Sequence, residues 1–232
     1  MTKARFYKTS AQVLACAFLI AGWANMYATP LPQAGGAVLN ISNMTGSLVG
    51  LSNVCVNWNS AAPCTNPPFA VQDTISGSDP ALFTVGSTAQ DTIKSLPAGV
   101  VLPLIDFLTV QSPLPGGLVH FDLISVVIPA VPLNNNCTVF AVGAICSPGG
   151  GSPYILVQAS ANQVAISFST TEQAYTGTSG VGYNAATAYN GIFTTQISGL
   201  LPNGQRVTVP NVLSFMGGGG VLTATWSSTH SH

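Results

Sequence analysis

The chain has 232 residues, of which 47% are hydrophobic and only 5% are charged, and its formal net charge is −1. An ordinary soluble domain carries about a quarter of its residues as charged side chains. So little Lys and Arg excludes binding to nucleic acid or to anionic membrane through clustered basic residues. The high hydrophobic fraction excludes a disordered chain, because disorder accompanies low hydrophobicity.

Residues 1–28 are predicted to be a secretory signal peptide. The opening "MTKARFYKTS" contains three basic residues and no acid, and residues 11–28 are uncharged and end in small residues. A basic segment, an apolar segment and small residues, in that order, are typical of such signals. Ala28 is the preferred cleavage point and Ala24 the second. We therefore expect a secreted protein, extracellular or at the cell surface, without a membrane span after cleavage.

Two alternatives exist for this N-terminal segment. One is a retained membrane anchor, but the apolar run is near the lower length limit for a spanning helix and no basic stop-transfer cluster follows it. The other is a lipoprotein signal at Cys16, but the apolar run continues past Cys16 as "AFLIAGWA".

Cleavage changes the charge balance of the chain. Two basic residues remain, Lys94 and Arg206, together with six acids, which gives a net charge of −4. The acids are Asp73, Asp79, Asp91, Asp106, Asp122 and Glu172.

Residues 29–36, "TPLPQAGG", are expected to form an extended lead-in, and residues 37–229 are expected to form a single β domain.

Four cysteines remain after the signal, in two C-x8-C motifs with matched spacing. They are Cys55 and Cys64 in "CVNWNSAAPC", and Cys137 and Cys146 in "CTVFAVGAIC". An exported chain meets an oxidising compartment, where disulfides persist. Four cysteines allow three pairings, and we favour the local one, in which each bond closes a short loop between strands. The spacing fits neither a zinc site nor a redox dithiol, so we expect no metal and no cofactor.

Two segments of the chain have helix signals. "STAQDTIKSL" from Ser87 has a capping-box pattern and is followed by Pro97 and Gly99. "VPNVLSFMG" has Pro210 at the start of the predicted helix and Gly217 just past its end. The second segment could equally be a strand.

The other segments favour strands. "LVHFDLISVVIPAV" is apolar on both alternating faces, which is typical of a central strand. The run "CSPGGGSP" at residues 146–153 is a wide loop or a subdivision of the domain. Beyond it, "YILVQAS", "QVAISFSTTEQAYT", "NGIFTTQIS" and "VLTATWSST" are separated by turn residues. This spacing predicts an all-β fold, an antiparallel β-sandwich or jelly roll with one or two short helices.

Few residues are candidates for chemistry. His120 and Asp122 lie two apart on one strand and share a face, so the carboxylate could orient the imidazole as a general base. No G-x-S-x-G elbow supplies a nucleophile, and we predict no catalysis. Asp73 and Asp79 in "QDTISGSDP" could bind calcium, although Asp and Ser also form ordinary turns.

Two further groups of residues have simpler interpretations. His230 and His232 in "STHSH" are expected in a frayed tail. Aromatic side chains near turns and strand ends could stack on a glycan, although aromatic residues in strands are more often in the core. They are Trp58, Tyr183, Tyr189 and Trp226.

The C-terminal part, "SPYILVQASANQVAISFSTTEQAYTG", "YNGIFTTQISG" and "GGGGVLTATWSST", resembles exported β-rich bacterial proteins that are sorted by a Pro-Glu-Pro C-terminal anchor. The resemblance covers roughly residues 146–229 and implies an extracytoplasmic β protein, with no activity attached. No Pro-Glu-Pro motif is present in the sequence, so the resemblance does not extend to the sorting tail.

The functional expectation is an extracellular structural or self-associating β protein, such as a matrix, filament or surface-layer component. Sheet edges are normally guarded by Lys and other charges, which this chain lacks. We expect a homo-oligomer or polymer, formed through strand exchange of the N-terminal segment as one route. The alternative is a glycan- or surface-binding module.

Overall fold

The computed structural model describes residues 29–31, 37–43, 48–58, 64, 68–75, 79–86, 90–127, 137–138, 140–148, 151–177, 179 and 186–232. The predicted signal peptide lies outside these residues. Among the residues described, no helix has the length and apolar character needed to cross a membrane.

The described residues form fifteen strands and one α-helix. The strands are β1 (Thr29–Pro30), β2 (Val38–Asn43), β3 (Val49–Ser52), β4 (Cys55–Asn57), β5 (Pro68–Ile75), β6 (Gln90–Lys94), β7 (Leu96–Pro97), β8 (Leu104–Gln111), β9 (Leu118–Val127), β10 (Ile145–Cys146), β11 (Ile155–Ser160), β12 (Gln163–Thr176), β13 (Thr187–Ser198), β14 (Leu222–Ala224) and β15 (Trp226–Ser231). The helix is α1 (Val209–Gly217).

The strands form two antiparallel sheets. The large sheet has the order β10-β11-β12-β13-β15-β2-β5-β6-β8-β9, and β9 also pairs with β12, so this sheet curls round on itself. The small sheet has the order β14-β3-β4-β7. The predicted all-β sandwich class is confirmed. Strands from before and after residues 146–153 share the large sheet.

Side-chain alternation explains the longest strands. Along β12, buried Val164, Ile166 and Phe168 alternate with half-buried Ala165 and Ser167. Strand β13 pairs with it over twelve residues and alternates in the same way. Because successive side chains of a strand point to opposite faces, this period of two places one face of each strand in the core.

Helix α1 confirms the helix signals of "VPNVLSFMG", although it begins one residue before Pro210 and includes Gly217. The side chain of Thr208 accepts a hydrogen bond from the backbone N–H of Asn211 at 3.4 Å, which caps the first turn. Pro210 lies in that turn, where its missing N–H costs nothing. At the other end, the N–H of Gly218 donates to the carbonyl of Ser214 at 3.1 Å.

The predicted helix from Ser87 is wrong. Residues 90–94 form β6, which pairs with β5 and β8. Within it Asp91 and Ile93 are buried, whereas Thr92 and Lys94 are half-buried, which is a strand period. The capping pattern is a local preference, and the pairing with two neighbouring strands outweighs it. Residues 87–89 lie outside the described residues.

The N-terminal segment pairs within its own chain. Strand β1 pairs with β12, and Leu31 is buried. Strand β2 pairs with β15 on one side and with β5 on the other. Strand exchange of this segment would therefore have to replace pairings that a single chain already makes.

Candidate functional site

A cluster of polar side chains lies where β8 and β9 pair. The register of these strands shifts between Leu104 and Leu108, and Asp106 within this irregularity has a φ of +49°. That left-handed conformation is uncommon for a residue other than glycine. It brings Oδ1 of Asp106 to 2.9 Å from Nδ1 of His120 on the neighbouring strand.

Asp122 lies beside this pair. Its Oδ1 accepts a hydrogen bond from the backbone N–H of Asp106 at 2.7 Å and another from the hydroxyl of Tyr175 at 3.2 Å. The ring of Tyr175 stacks on that of His120, with centroids 5.3 Å apart. The carboxylate that orients His120 is thus Asp106 on the adjacent strand, and not Asp122 two residues away as the sequence suggests.

The pKa values of the two carboxyl groups in this cluster are shifted in opposite directions. Burial opposes ionisation of Asp106. Hydrogen bonds from His120 and Ser179, with the charges of His120 and Lys94, outweigh this and hold the pKa of Asp106 below its ordinary value. Burial raises the pKa of Asp122, although the hydrogen bonds from Asp106 and Tyr175 oppose it. Asp106 is therefore ionised at neutral pH and accepts the Nδ1 proton of His120.

The cluster lacks an activated nucleophile among the described residues. The hydroxyl of Ser179 donates to Oδ2 of Asp106 and not to the imidazole. A serine nucleophile needs its hydroxyl on the base, with the carboxylate behind the base. Here the carboxylate lies in the middle, so the arrangement orients His120 without preparing Ser179 for attack.

A second polar cluster lies inside the large sheet. Nδ1 of His230 is 2.7 Å from Oε2 of Glu172, and Nε2 of His230 is 3.0 Å from the hydroxyl of Ser228. The hydroxyl of Thr170 donates to the other Glu172 oxygen at 2.6 Å. This is the order serine, histidine, carboxylate. However, the side chains of His230 and Glu172 are 0% exposed, so the cluster as folded is closed to a substrate.

The frayed tail predicted at the C-terminus is wrong for His230. Strand β15 pairs with both β13 and β2, and its buried residues Trp226, Ser228 and His230 alternate with outward ones. His232 is exposed, and its ring lies 5.9 Å from that of Tyr189. The sequence predicts most of this strand in "VLTATWSST" and misses only its last two residues, His230 and Ser231.

A third titratable group is buried in β6. Asp91 is 0% exposed. Burial raises the pKa of Asp91 to about 7, because neither carboxyl oxygen has a hydrogen-bond partner among the described residues; the nearby backbone of Gln111 opposes this rise only in part. Its carboxyl group therefore changes charge near neutral pH inside the protein.

Both C-x8-C motifs are disulfides with the local pairing that the sequence favours. Cys55 is bonded to Cys64 and Cys137 to Cys146, with Cα–Cα distances of 6.4 and 5.5 Å, within the usual range. The first bond anchors the start of β4, and the second anchors the end of β10.

The exposed aromatic platform that the glycan-binding alternative requires is not found among the described residues. Trp58, Tyr189 and Trp226 are 4% exposed or less. The rings of Trp58 and Trp226 lie 4.6 Å apart, beside that of Phe193, in an apolar crevice between the two sheets. Tyr183 lies outside the described residues.

The described residues give no support to a calcium site at Asp73 and Asp79. Oδ1 of Asp79 accepts a hydrogen bond from the N–H of Ala81 at 2.9 Å, which is an ordinary turn contact. Asp73 is in β5, and residues 76–78 lie outside the described residues. Within the described ranges, no group of three or more His, Cys, Asp or Glu side chains is arranged to hold a metal ion.

No protein-family model, no curated protein and no solved structure matches this chain.

Proposed function

We propose that this protein is an exported structural β protein that assembles with copies of itself, as a component of a matrix, filament or surface layer, and that it has no catalytic role. The observation that carries this proposal is the placement of its few charged side chains. Of the charged side chains whose burial the structure describes, only Arg206 is exposed, whereas Asp91, Asp122 and Glu172 are buried and the others are half-buried.

Three of the acids, Asp91, Asp122 and Glu172, are 2% exposed or less. The ammonium group of Lys94 donates to the carbonyl of Ile105 at 2.5 Å. Both carboxylate oxygens of Asp106 accept hydrogen bonds, one from His120 and the other from Ser179. Proteins ordinarily keep nearly all such side chains at the surface. Surface charge keeps copies of a protein apart, and a surface with little charge favours association.

The outermost strand of the large sheet shows the same property. Strand β10 lies at the end of the strand order, and the chain from Leu123 to Thr171 contains no charged residue. In the segment before β10, Phe140 is 47% exposed and Val142 64% exposed. Edge strands are normally guarded by charges, above all Lys, because an unguarded edge pairs with other chains.

The two disulfides support the extracytoplasmic part of the proposal. Such bonds persist in oxidising compartments and are rare in the cytosol. They agree with the signal peptide predicted over residues 1–28. The glycan-binding alternative has less support, because three of the four rings on which it was based are buried and the fourth is undescribed.

Electron microscopy of the native secreted material tests the proposal directly. We expect filaments, sheets or another regular assembly. Sedimentation of the purified mature chain, from micromolar to millimolar concentration, should show a mass that rises with concentration. A chain that remains monomeric throughout, together with native material that shows no assembly, would contradict the proposal.

A further inference from the structure

The outer face of four neighbouring strands, β12, β13, β15 and β2, carries no charged side chain. All but four of its outward residues have a hydroxyl or amide group. These outward residues are Gln163, Ala165, Ser167, Ser169 and Thr171 on β12, Ala188, Asn190, Ile192, Thr194, Gln196 and Ser198 on β13, Ser227, Thr229 and Ser231 on β15, and Val38, Asn40 and Ser42 on β2. We call this surface the hydroxyl–amide face.

The strand register aligns these side chains in rows across the sheet. One row is Ser167, Thr194, Ser227 and Ser42, and the next is Ser169, Ile192, Thr229 and Asn40. Neighbours within rows bond to each other: the hydroxyls of Thr194 and Ser227 are 3.2 Å apart, and Thr229 donates to Asn40 at 2.9 Å. These bonds hold the side chains in fixed positions before any partner arrives, which lowers the entropy lost on binding.

Ile192 is the large apolar residue at the centre of this face. It lies on β13, between β12 and β15, and 53% of it is exposed. Its neighbours in the row are Ser169 and Thr229. An apolar anchor within a polar rim is the usual anatomy of a protein–protein contact.

We propose that the hydroxyl–amide face is where a second copy of this chain docks, face to face about a two-fold axis that passes near Ile192. This inference rests on the proposed self-assembly and names one of its contacts, since a two-fold contact joins only two copies and a larger assembly needs a second contact, such as the β10 edge. Two copies of a chain with a net charge of −4 after residue 28 repel unless their charged groups stay apart. The hydroxyl–amide face places no carboxylate at the contact, because its outward residues are uncharged and Glu172, the one acid on these four strands, is buried.

The size of the face suits a contact between two folded copies. At about 3.4 Å per residue and about 4.8 Å between strands, the four strands cover roughly 600 Å². Specific interfaces bury about 600 Å² or more on each partner. A two-fold axis brings the same patch of both copies together, so that Ile192 meets its own equivalent.

The test uses the mature chain with Ile192→Lys, which places like charges opposite each other at the proposed axis. The matched control is Val221→Lys, because Val221 is 49% exposed and lies outside the face. Circular dichroism and thermal unfolding confirm that both variants fold. Sedimentation should show that Ile192→Lys weakens self-association by about tenfold or more, whereas Val221→Lys leaves it near the wild-type value.

A charge-swap experiment keeps the test independent of how well one variant folds. Ile192→Asp alone should also associate poorly, and an equimolar mixture of Ile192→Lys and Ile192→Asp should regain association.

If the wild type assembles and the Ile192 variants assemble equally well, the proposed face is wrong and self-assembly stands. If the wild type does not assemble, both proposals fail. If the Ile192 variants instead lose binding to an insoluble polysaccharide with their oligomeric state unchanged, the face belongs to a glycan and the docking proposal is wrong.

Discussion

His230 and Glu172 are joined by a 2.7 Å hydrogen bond across a glycine on the strand that lies between them. Gly191 of β13 pairs with Thr170 of β12 on one side and with His230 of β15 on the other. A Cβ atom on Gly191 would lie 2.7 Å from Oε1 of Glu172 and 3.0 Å from Nδ1 of His230. The missing side chain at residue 191 is therefore what gives this buried bond its space.

Gly191→Ala should destabilise the protein by about 1–3 kcal/mol, because the added methyl group overpacks a closed polar cluster. Urea unfolding measures the loss. Gly217→Ala is the matched control, since a Cβ there meets nothing within 4 Å and Ala is the better helix former. Equal stability of the two variants would show that the buried polar cluster accommodates the added methyl group, and that a glycine at residue 191 is not required for its stability.

Glu172→Leu should cost about 1–3 kcal/mol for each buried group that it leaves without a hydrogen-bond partner, namely Nδ1 of His230 and the hydroxyl of Thr170. Ser228→Ala, which removes one hydroxyl from the other ring nitrogen, should cost only about 1 kcal/mol. Denaturant unfolding of both variants gives the comparison. A loss for Glu172→Leu as small as that for Ser228→Ala would mean that the Glu172–His230 bond contributes little.

Patterns local to the chain predicted much of the fold. The strand-favouring residues between turn signals identified β12 and most of β13. Pro210 and Gly217 marked helix α1, and the C-x8-C spacing favoured the pairing that the structure shows. The predictions that failed concern features that depend on which strands become neighbours.

The failures share this cause. The partnership of Asp106 with His120 is set by the register of β8 against β9, and the strand identity of residues 90–94 by pairing with β5 and β8. The place of His230 is set by two strands that contact β15 from distant parts of the sequence. No local pattern contains that information.

Removing the second disulfide should destabilise the protein without unfolding it. The bond joins residues nine apart, and loop closure over that length contributes about 2–3 kcal/mol. Cys137→Ala with Cys146→Ala should show that loss in denaturant unfolding. Mass spectrometry of non-reduced digests should first find Cys55 linked to Cys64 and Cys137 linked to Cys146. Peptides that link one motif to the other would overturn the pairing, though not the structural role of the cysteines.

Asp91 should make stability fall as pH rises. Its pKa is about 7 in the folded protein, against an ordinary value near 3.8. Between these values the folded state binds more protons than the unfolded state, so the free energy of unfolding decreases with pH and levels off above about 7. Asp91→Asn removes this penalty. The variant should therefore gain stability over the wild type between pH 4 and pH 7, as denaturant unfolding across that range would show.

Asp106→Asn is the informative counterpart, because the pKa of Asp106 is shifted in the opposite direction. A carboxylate whose folded pKa is lowered stabilises the protein above its unfolded pKa, and this contribution is lost as pH falls through the folded value. Relative to the wild type, Asp106→Asn should thus be less stable at neutral pH, with a difference that shrinks in acid. If both variants follow the wild-type profile in parallel, neither carboxyl group has the environment that its place in the fold implies.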